Sequence, residues 1–219
     1  MAAASDLVFH QIPVGEMANL AYLVGSRSAR EALLVDPAWS VDALLDTAEA
    51  EGLRVVGALV THYHQDHVGG RIFGHDIEGV ARLLERAPVP IHVNEHEAEG
   101  TRQVTGASES DLVRHAAGDA IALGALAVRL LHTPGHTPGH HSLLVRLAQM
   151  GPVILSGDGV HFRENYDTNG VPWFNYDRAQ TQASTERVKK LVENLKATLI
   201  IQHDARDVSK LPAYPDAAK

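Results

Sequence analysis

A short stretch of the chain places four metal-binding side chains within six residues, directly after an apolar run. The run, Val55 to Val60, is typical of a buried strand, and the side chains are His62, His64, Asp66 and His67. Side chains two residues apart project from the same side of an extended chain, so His62 and His64 can bind one cation. Asp66 and His67 follow a turn and approach from another direction, which indicates two metal ions side by side. Imidazole with carboxylate suits zinc, and iron, manganese and cobalt also accept these ligands.

The composition sets the broad class of protein and argues against several functions. The chain has 219 residues, of which 45% are hydrophobic and 21% charged, so we expect a single globular domain over residues 1–219. The formal net charge is −8 and no basic patch is visible, which argues against nucleic acid as a partner. There is no cysteine to form a disulfide or a thiolate nucleophile. Without a visible leader or membrane span, we expect a cytoplasmic protein that binds no membrane.

Strands and helices are predicted to alternate along the chain. Short apolar runs between turn residues predict strands in both halves. Helical spacing predicts helices over Val41–Glu51, Asp76–Arg86, Glu95–Gln103 and Asp177–Leu195. The glycines at positions 69 and 70 are expected to let the backbone pass close to the metal-binding stretch and to start a helix. Two mixed sheets packed face to face, with helices outside, accommodate this order, so the fold class is α/β.

Three further candidate ligands also follow predicted strands. They are His136, in a loop with two Pro-Gly pairs, Asp158 and His203. Strand ends at one edge of a sheet converge, so these side chains can meet the first four. A lone histidine at a strand end is more often structural than a ligand, but four such sites in order favour a metal centre. We expect His132 and His140, beside the Pro-Gly loop, to orient that loop and His141 to start a strand. The histidines expected to be surface or structural residues are His10, His75, His92, His96 and His115.

The stretch from His62 to His67 resembles the H-x-H-x-D-H signature of the metallo-β-lactamase superfamily, and the resemblance extends from about Phe9 to His203. It implies that His62, His64 and His136, here called the first group, hold one metal ion. Asp66, His67 and His203, here called the second group, would hold the other, with Asp158 and a hydroxide between the two ions. The implied fold is an αββα sandwich with the site at one edge.

Two adjacent cations indicate a hydrolase, because together they lower the pKa of a shared water and polarise a carbonyl group. We expect the bridging hydroxide to attack that carbonyl and Asp66 to carry the proton to the leaving group. His161 stands three residues after Asp158, where many lactonases of the superfamily have tyrosine. We therefore expect the His161 ring to donate a hydrogen bond to the substrate oxygen.

The substrate is expected to be a small molecule with a lactone or ester group. The segment from Leu131 to Val145 resembles the quorum-quenching N-acyl homoserine lactone lactonases of the superfamily. The first half of the chain is also similar to the glyoxalase II branch, whose members hydrolyse hydroxyacylglutathione thioesters. A metal-binding member without catalysis is a third alternative. A true β-lactamase is disfavoured, because Asp158 stands where those enzymes have cysteine or serine.

Several apolar side chains are candidates for contact with the substrate. Phe162, Trp173 and Phe174 are concentrated after Asp158, in a chain with only 5% aromatic residues. We expect them, with Met17, to form an apolar surface for an acyl chain, and the alternative is that they pack in the core beneath a loop. The sequence also allows the chain to form a homodimer.

Overall fold

The computed structural model of the chain describes residues 6–212 and 214–218. These residues form a six-stranded sheet, a five-stranded sheet and a two-stranded hairpin. In chain order the strands are β1 (Leu7–Val14), β2 (Asn19–Ser26), β3 (Glu31–Val35), β4 (Arg54–Leu59), β5 (Gly70–Ile72), β6 (His75–Ile77), β7 (Ile91–Asn94), β8 (Leu112–His115), β9 (Ala120–Leu123), β10 (Leu126–His132), β11 (His141–Leu147), β12 (Gly151–Leu155) and β13 (Thr198–Ile200). The helices are α1 (Val41–Ala50), α2 (Gln65–Val68), α3 (Val80–Arg86), α4 (Ala98–Thr105), α5 (Arg163–Thr168), α6 (Arg178–Leu195) and α7 (Ala205–Val208).

The first sheet has the strand order β1-β2-β3-β4-β7-β8. The first three strands form an antiparallel meander, and β3, β4, β7 and β8 run parallel to one another. Parallel neighbours end at the same edge of a sheet. Asp36 directly follows β3, and the stretch that begins at Thr61 follows β4. This edge therefore brings two polar segments together.

The second sheet has the order β13-β12-β11-β10-β9. Its strands pair antiparallel except for β12 and β13, which are parallel. The segment with Asp158 follows β12 and the segment with His203 follows β13, so the parallel pair delivers both to one edge. The loop with His136 connects β10 to β11.

The two sheets pack face to face, and helices cover their outer faces. Between the sheets, Tyr22, Leu33 and Leu59 of the first pack in one cluster with Leu130 and Leu143 of the second. On the outer face of the first sheet, α1, α3 and α4 contribute buried residues to a separate cluster. On the outer face of the second sheet, α6 does the same. This arrangement is the αββα sandwich that the sequence predicts, and the predicted fold class is confirmed.

The segment after the metal-binding stretch differs from the expectation. Gly69 and Gly70 end helix α2 and begin the hairpin β5–β6, so they do not start a helix. The expected helix Asp76–Arg86 is a strand over its first residues and becomes helical only at Val80. The hairpin turns through Phe73 and Gly74, both with positive φ. Phe-Gly is not a usual turn pair, which is why the sequence does not reveal this hairpin.

Two further elements have no clear signal in the sequence. Strand β8 lies at an edge of the first sheet and is only half-buried, so its residues show little hydrophobic pattern. Helix α5 has no fully buried residue among those described. It therefore lacks the regularly spaced apolar residues from which a helix is predicted in a sequence. In the described part of the chain no helix is both long and apolar enough to cross a membrane.

Candidate metal centre

The loop after β4 is held at its first residue by a buried carboxylate. Asp36 accepts hydrogen bonds from the backbone N–H of Thr61 and from its hydroxyl, both at 2.7 Å. His64 then adopts an extended conformation and is followed by the single turn of α2. His62 and His64 therefore precede the turn, whereas Asp66 and His67 lie within it, as the sequence indicates.

The first group converges on one point. The Nε2 atom of His136 lies 2.9 Å from His64 Nδ1 and 3.2 Å from His62 Nε2. His62 and His136 are buried, and the three donor atoms lie within 4.8 Å of one another. Three imidazole nitrogens this close can share one cation, so the donors suit a divalent transition metal.

Asp158 lies between the first group and the second. Its Oδ2 atom is 3.6 Å from His136 Nε2 and 3.9 Å from His62 Nε2. Its Oδ1 atom is 3.2 Å from His203 Nε2 and 3.4 Å from His67 Nε2. One carboxylate thus presents one oxygen to each group.

Asp66 completes the set, with its Oδ2 atom 3.5 Å from His67 Nε2. All seven side chains that the sequence indicates as ligands are therefore brought to one place.

The pKa values of the candidate ligand histidines differ between the two groups. Burial holds the pKa of His62 well below its ordinary value and lowers the pKa of His136 to about 3. Burial acts to lower the pKa values of His67 and His203, but the charges of Asp158 and Asp66, together with hydrogen bonds to carboxylates, outweigh it and raise both pKa values. Burial alone would raise the pKa of Asp158, yet the neighbouring histidines hold it well below its usual range. The first group therefore presents neutral imidazoles, whereas a metal ion bound at the second group would compete with protons on His67 and His203.

Two side chains beyond the seven orient the second group, and neither is among the candidates expected from the sequence. Asp36 Oδ2 lies 3.0 Å from His67 Nδ1, which leaves Nε2 of that ring to face Asp158. Asn19 donates from Nδ2 to Asp66 Oδ2 at 2.9 Å. Asp36 could have been found, because it follows an apolar strand just as Asp158 does. Asn19 carries no such signal.

Glu97 joins the two loops that carry the first group. It is fully buried and accepts hydrogen bonds from the backbone N–H of Tyr63 at 3.0 Å and of Gly139 at 2.5 Å. Tyr63 lies between His62 and His64, and Gly139 follows His136 by three residues. The Glu97 side chain therefore links the two histidine loops to each other.

His140 has the orienting role that the sequence suggests. It is buried, its Nδ1 atom lies 2.9 Å from Thr133 Oγ1, and its Nε2 atom accepts from the backbone N–H of Gly159 at 3.1 Å. It thus links the Pro-Gly loop to the turn that carries Asp158.

His161 lies at the centre beside Asp158. Its Nε2 atom is 3.2 Å from Asp158 Oδ2, and its Nδ1 atom is buried with no hydrogen-bond partner among the described residues. It also belongs to a set with His136 and Asp158 whose donor atoms lie within 4.8 Å of one another. One ring nitrogen of His161 therefore reaches the place where the two groups meet.

The aromatic residues after Asp158 lie beside the same centre. Phe174 is 49% exposed and meets the His161 ring edge-on, with centroids 5.1 Å apart. Phe162 is 50% exposed and Trp173 is 94% exposed, so these side chains do not pack in the core. Met17 is half-buried in the turn between β1 and β2. That turn lies against Trp39, whose indole N–H donates to the carbonyl of Asp66.

Comparison with known proteins shows which sequences and folds this chain is similar to. The family model of the metallo-β-lactamase superfamily matches residues 14–203. An N-acyl homoserine lactonase of Bacillus sp is 38% identical over 89 residues, which are 41% of this chain and 35% of that protein. The chain therefore matches only about a third of the length of that relative.

Two further matches span nearly the whole chain. An uncharacterized protein of Aquifex aeolicus (strain VF5) is 31% identical over 206 residues, which cover 89% of this chain and 88% of that protein. The crystal structure of a quorum-quenching N-acyl homoserine lactone lactonase superposes with a TM-score of 0.73 at 21% identity, over 96% of this chain and 97% of that one. At that identity the structural likeness shows the fold alone.

Proposed function

Because the chain belongs to the metallo-β-lactamase superfamily, we propose that it is a metal-dependent hydrolase that opens the lactone ring of N-acyl homoserine lactones. The observation that carries the hydrolase assignment is the position of Asp158, with one carboxylate oxygen toward each group of ligands. The choice of substrate is supported by the 89-residue similarity to a Bacillus lactonase. It is also supported by the exposed aromatic side chains beside His161.

The seven donors fit two divalent ions. His62, His64 and His136 would hold one ion, and Asp66, His67 and His203 the other, with Asp158 shared between them. Imidazole and carboxylate suit zinc, iron, cobalt and manganese. When bound, the ions supply Lewis acidity, which polarises the carbonyl of the substrate and makes a water nucleophilic near neutral pH.

Asp66 is the residue that we assign to proton transfer. Asn19 holds its Oδ2 atom, and the side chain lies at the second group with only 8% of its surface exposed. As the oxygen of water joins the carbonyl carbon, Asp66 takes the proton that the water gives up. It returns this proton to the ring oxygen as the C–O ester bond breaks, which leaves a free acid and an alcohol.

The exposed aromatic residues supply the apolar surface that an acyl chain needs. Phe174 contacts the rings of both His161 and His136 at their edges, so a chain lying on Phe174 places its head group at the metal centre. Trp173 meets Phe174 with ring centroids 5.8 Å apart and extends this surface outward. Exposed apolar side chains next to a polar centre are typical of a ligand site. Phe162 and Met17 are proposed as flanking contacts.

The proposal is tested by a side-by-side assay of metal-loaded protein with a long-chain N-acyl homoserine lactone and with S-lactoylglutathione. We expect kcat/KM to be higher for the lactone, with release of the free acid, and we expect no turnover after chelation of the metals. A higher kcat/KM for the thioester would establish the glyoxalase II-like alternative instead. No turnover of either compound by protein with two metals bound would favour a non-catalytic member of the superfamily.

His161 is proposed to donate a hydrogen bond to the substrate oxygen. Loss of one well-aligned donor costs on the order of 10²–10³ in kcat, and we expect about 10²-fold or less here because the metals already polarise that oxygen. His161→Phe should lower kcat with both metals retained, and His161→Tyr should recover part of the loss. Both variants are assayed with metal content measured in the same preparation. Near wild-type rates in both would exclude a role in the reaction, and loss of metal from His161→Phe would make His161 a ligand.

A further inference from the structure

One amide side chain reaches the outward-facing nitrogen of a first-group histidine. His136 turns Nε2 toward His62, His64 and Asp158, and its other ring nitrogen, Nδ1, lies 3.1 Å from Asn175 Oδ1. Asn175 is not part of the signature stretch, and it stands 39 residues further along the chain. Its contact decides which ring nitrogen of His136 carries the hydrogen.

The orientation of the Asn175 amide follows from its second contact. Asn175 donates from Nδ2 to Thr181 Oγ1 at 3.1 Å, and the same hydroxyl donates to the carbonyl of Asp177 at 2.7 Å. Since the hydroxyl proton is already used, Thr181 can only accept from Asn175. The amide oxygen must therefore face His136, whose Nδ1 must donate. His136 is thereby held with a lone pair on Nε2, the atom that faces the first group.

The same residue stands within the exposed aromatic segment, residues 173–177. Trp173 and Phe174 precede Asn175, and the two residues after it bond to the His136 loop. Tyr176 N–H donates to the carbonyl of His136 at 3.1 Å, and Asp177 N–H donates to the carbonyl of Gly135 at 2.9 Å. The aromatic segment and the His136 loop are thus joined by two backbone bonds and one side-chain bond.

We infer that Asn175 is a positioning residue that couples the metal site of the first group to the aromatic segment. It holds His136 in the form that binds metal through Nε2, and it holds Phe174 beside the same ring. Metal binding at the first group should therefore stabilise the aromatic segment, and loss of Asn175 should weaken metal binding. This inference rests on the proposed function, because it takes Phe174 as part of the surface for the acyl chain.

The test compares Asn175→Ala, Asn175→Asp and a control, Asn94→Ala, by competition of each protein with a chelator for Zn²⁺. Asn94 also bonds a buried histidine at 3.1 Å, but its partner is His141, which is outside the two groups. Removal of a partner that orients a metal-bound histidine typically costs about 10–100-fold in metal affinity. We expect that loss in Asn175→Ala, for one of the two metal equivalents, and no loss in Asn94→Ala.

Asn175→Asp separates positioning from a structural role. A carboxylate still accepts from His136 Nδ1, so metal affinity should be retained. Its second oxygen would face the Thr181 hydroxyl, whose proton is already donated, so the Tm should fall. A purely structural role predicts instead that metal affinity falls in proportion to the Tm in all three variants. Equal metal affinity in Asn175→Ala and Asn94→Ala would overturn the inference.

Hydrogen exchange measures the coupling directly. In the wild-type protein and in Asn175→Asp, Zn²⁺ should slow exchange of the backbone amides of residues 173–177. In Asn175→Ala that effect should be absent, and an undiminished effect would contradict the coupling. Neither the chelator competition nor the hydrogen exchange uses a lactone. A negative result in these measurements therefore leaves the proposed lactone hydrolysis untouched, and a negative lactonase assay leaves the coupling untouched.

Discussion

Replacing Asp158 with asparagine should abolish most of the activity and weaken both metal sites together. The variant keeps the shape of the side chain but loses its charge, and only one of its two polar atoms can still bind a cation. Removing a side chain that only orients a metal ligand typically lowers metal affinity by about 10–100-fold. Replacing a direct ligand that serves both groups should lower metal affinity further. We therefore expect kcat/KM to fall by more than about 10²-fold. Metal content after dialysis and kcat/KM are measured on the same protein.

The control for this variant is Asp167→Asn, which removes a carboxylate from the exposed surface of α5. It should retain both metals and wild-type kcat/KM. Retention of one full metal equivalent by Asp158→Asn, with the other site empty, would show that Asp158 belongs to a single group. The shared position that carries the proposed function would then be wrong.

Alanine at position 135 should destabilise the protein strongly and displace His136. Gly135 is buried with a φ of +129°, and an added Cβ would lie 2.2 Å from the backbone nitrogen of Thr181. Thr181 cannot yield, because its N–H donates to the carbonyl of Asp177 in the first turn of α6. Backbone strain of about 1–3 kcal/mol and overpacking of about 1–3 kcal/mol together reduce the free energy of unfolding by about 2–6 kcal/mol. The loop must shift to relieve the clash, and His136 is the next residue.

The matched control is Gly118→Ala, since Gly118 also has a positive φ, of +90°, but an added Cβ there meets no heavy atom within 4 Å. Conformational strain alone should cost about 1–2 kcal/mol at that position. Denaturant unfolding gives the free energies, and metal analysis shows whether the first group survives. Equal stability and equal metal content in the two variants would mean that the loop does not rest on α6 as the structure has it.

The order of strands and candidate ligands can be predicted from the sequence because both signals are local. An apolar run marks a strand, and a histidine or aspartate directly after it lies at the edge of a sheet. This rule identifies His62, His136, Asp158 and His203 as candidates, and the folded chain brings them together. Their roles as ligands stay predictions until metals are measured. The same rule applies to Asp36, which follows β3 and orients His67.

The wrong predictions lie where the local signal is weak or ambiguous. The glycines at 69 and 70 allow both a helix start and a close approach of two backbones. In the folded chain an added Cβ on Gly69 would lie 2.7 Å from the backbone nitrogen of Gly79. Gly69 and Gly79 lie on opposite sides of the hairpin β5–β6 in the sequence, and their close approach favours that hairpin. A pattern of neighbouring residues does not show such a contact. Strand β8 has no clear signal because an edge strand buries too little to require a regular pattern of apolar residues.

The chemistry of the centre is readable from the chain alone, since residue types and their positions after apolar runs identify imidazole and carboxylate donors at an edge. Which atoms face one another depends on the folded molecule. Asp158 divides its oxygens between two groups because of strand pairing and sheet packing together. The parallel pairing of β12 with β13 sets the position of His203, and the antiparallel pairing of β11 with β12 sets that of the His136 loop. The packing of the two sheets brings up His62. Asn175 meets His136 because α6 holds the His136 loop. Such contacts depend on side-chain directions set by long-range packing, and no local pattern encodes them.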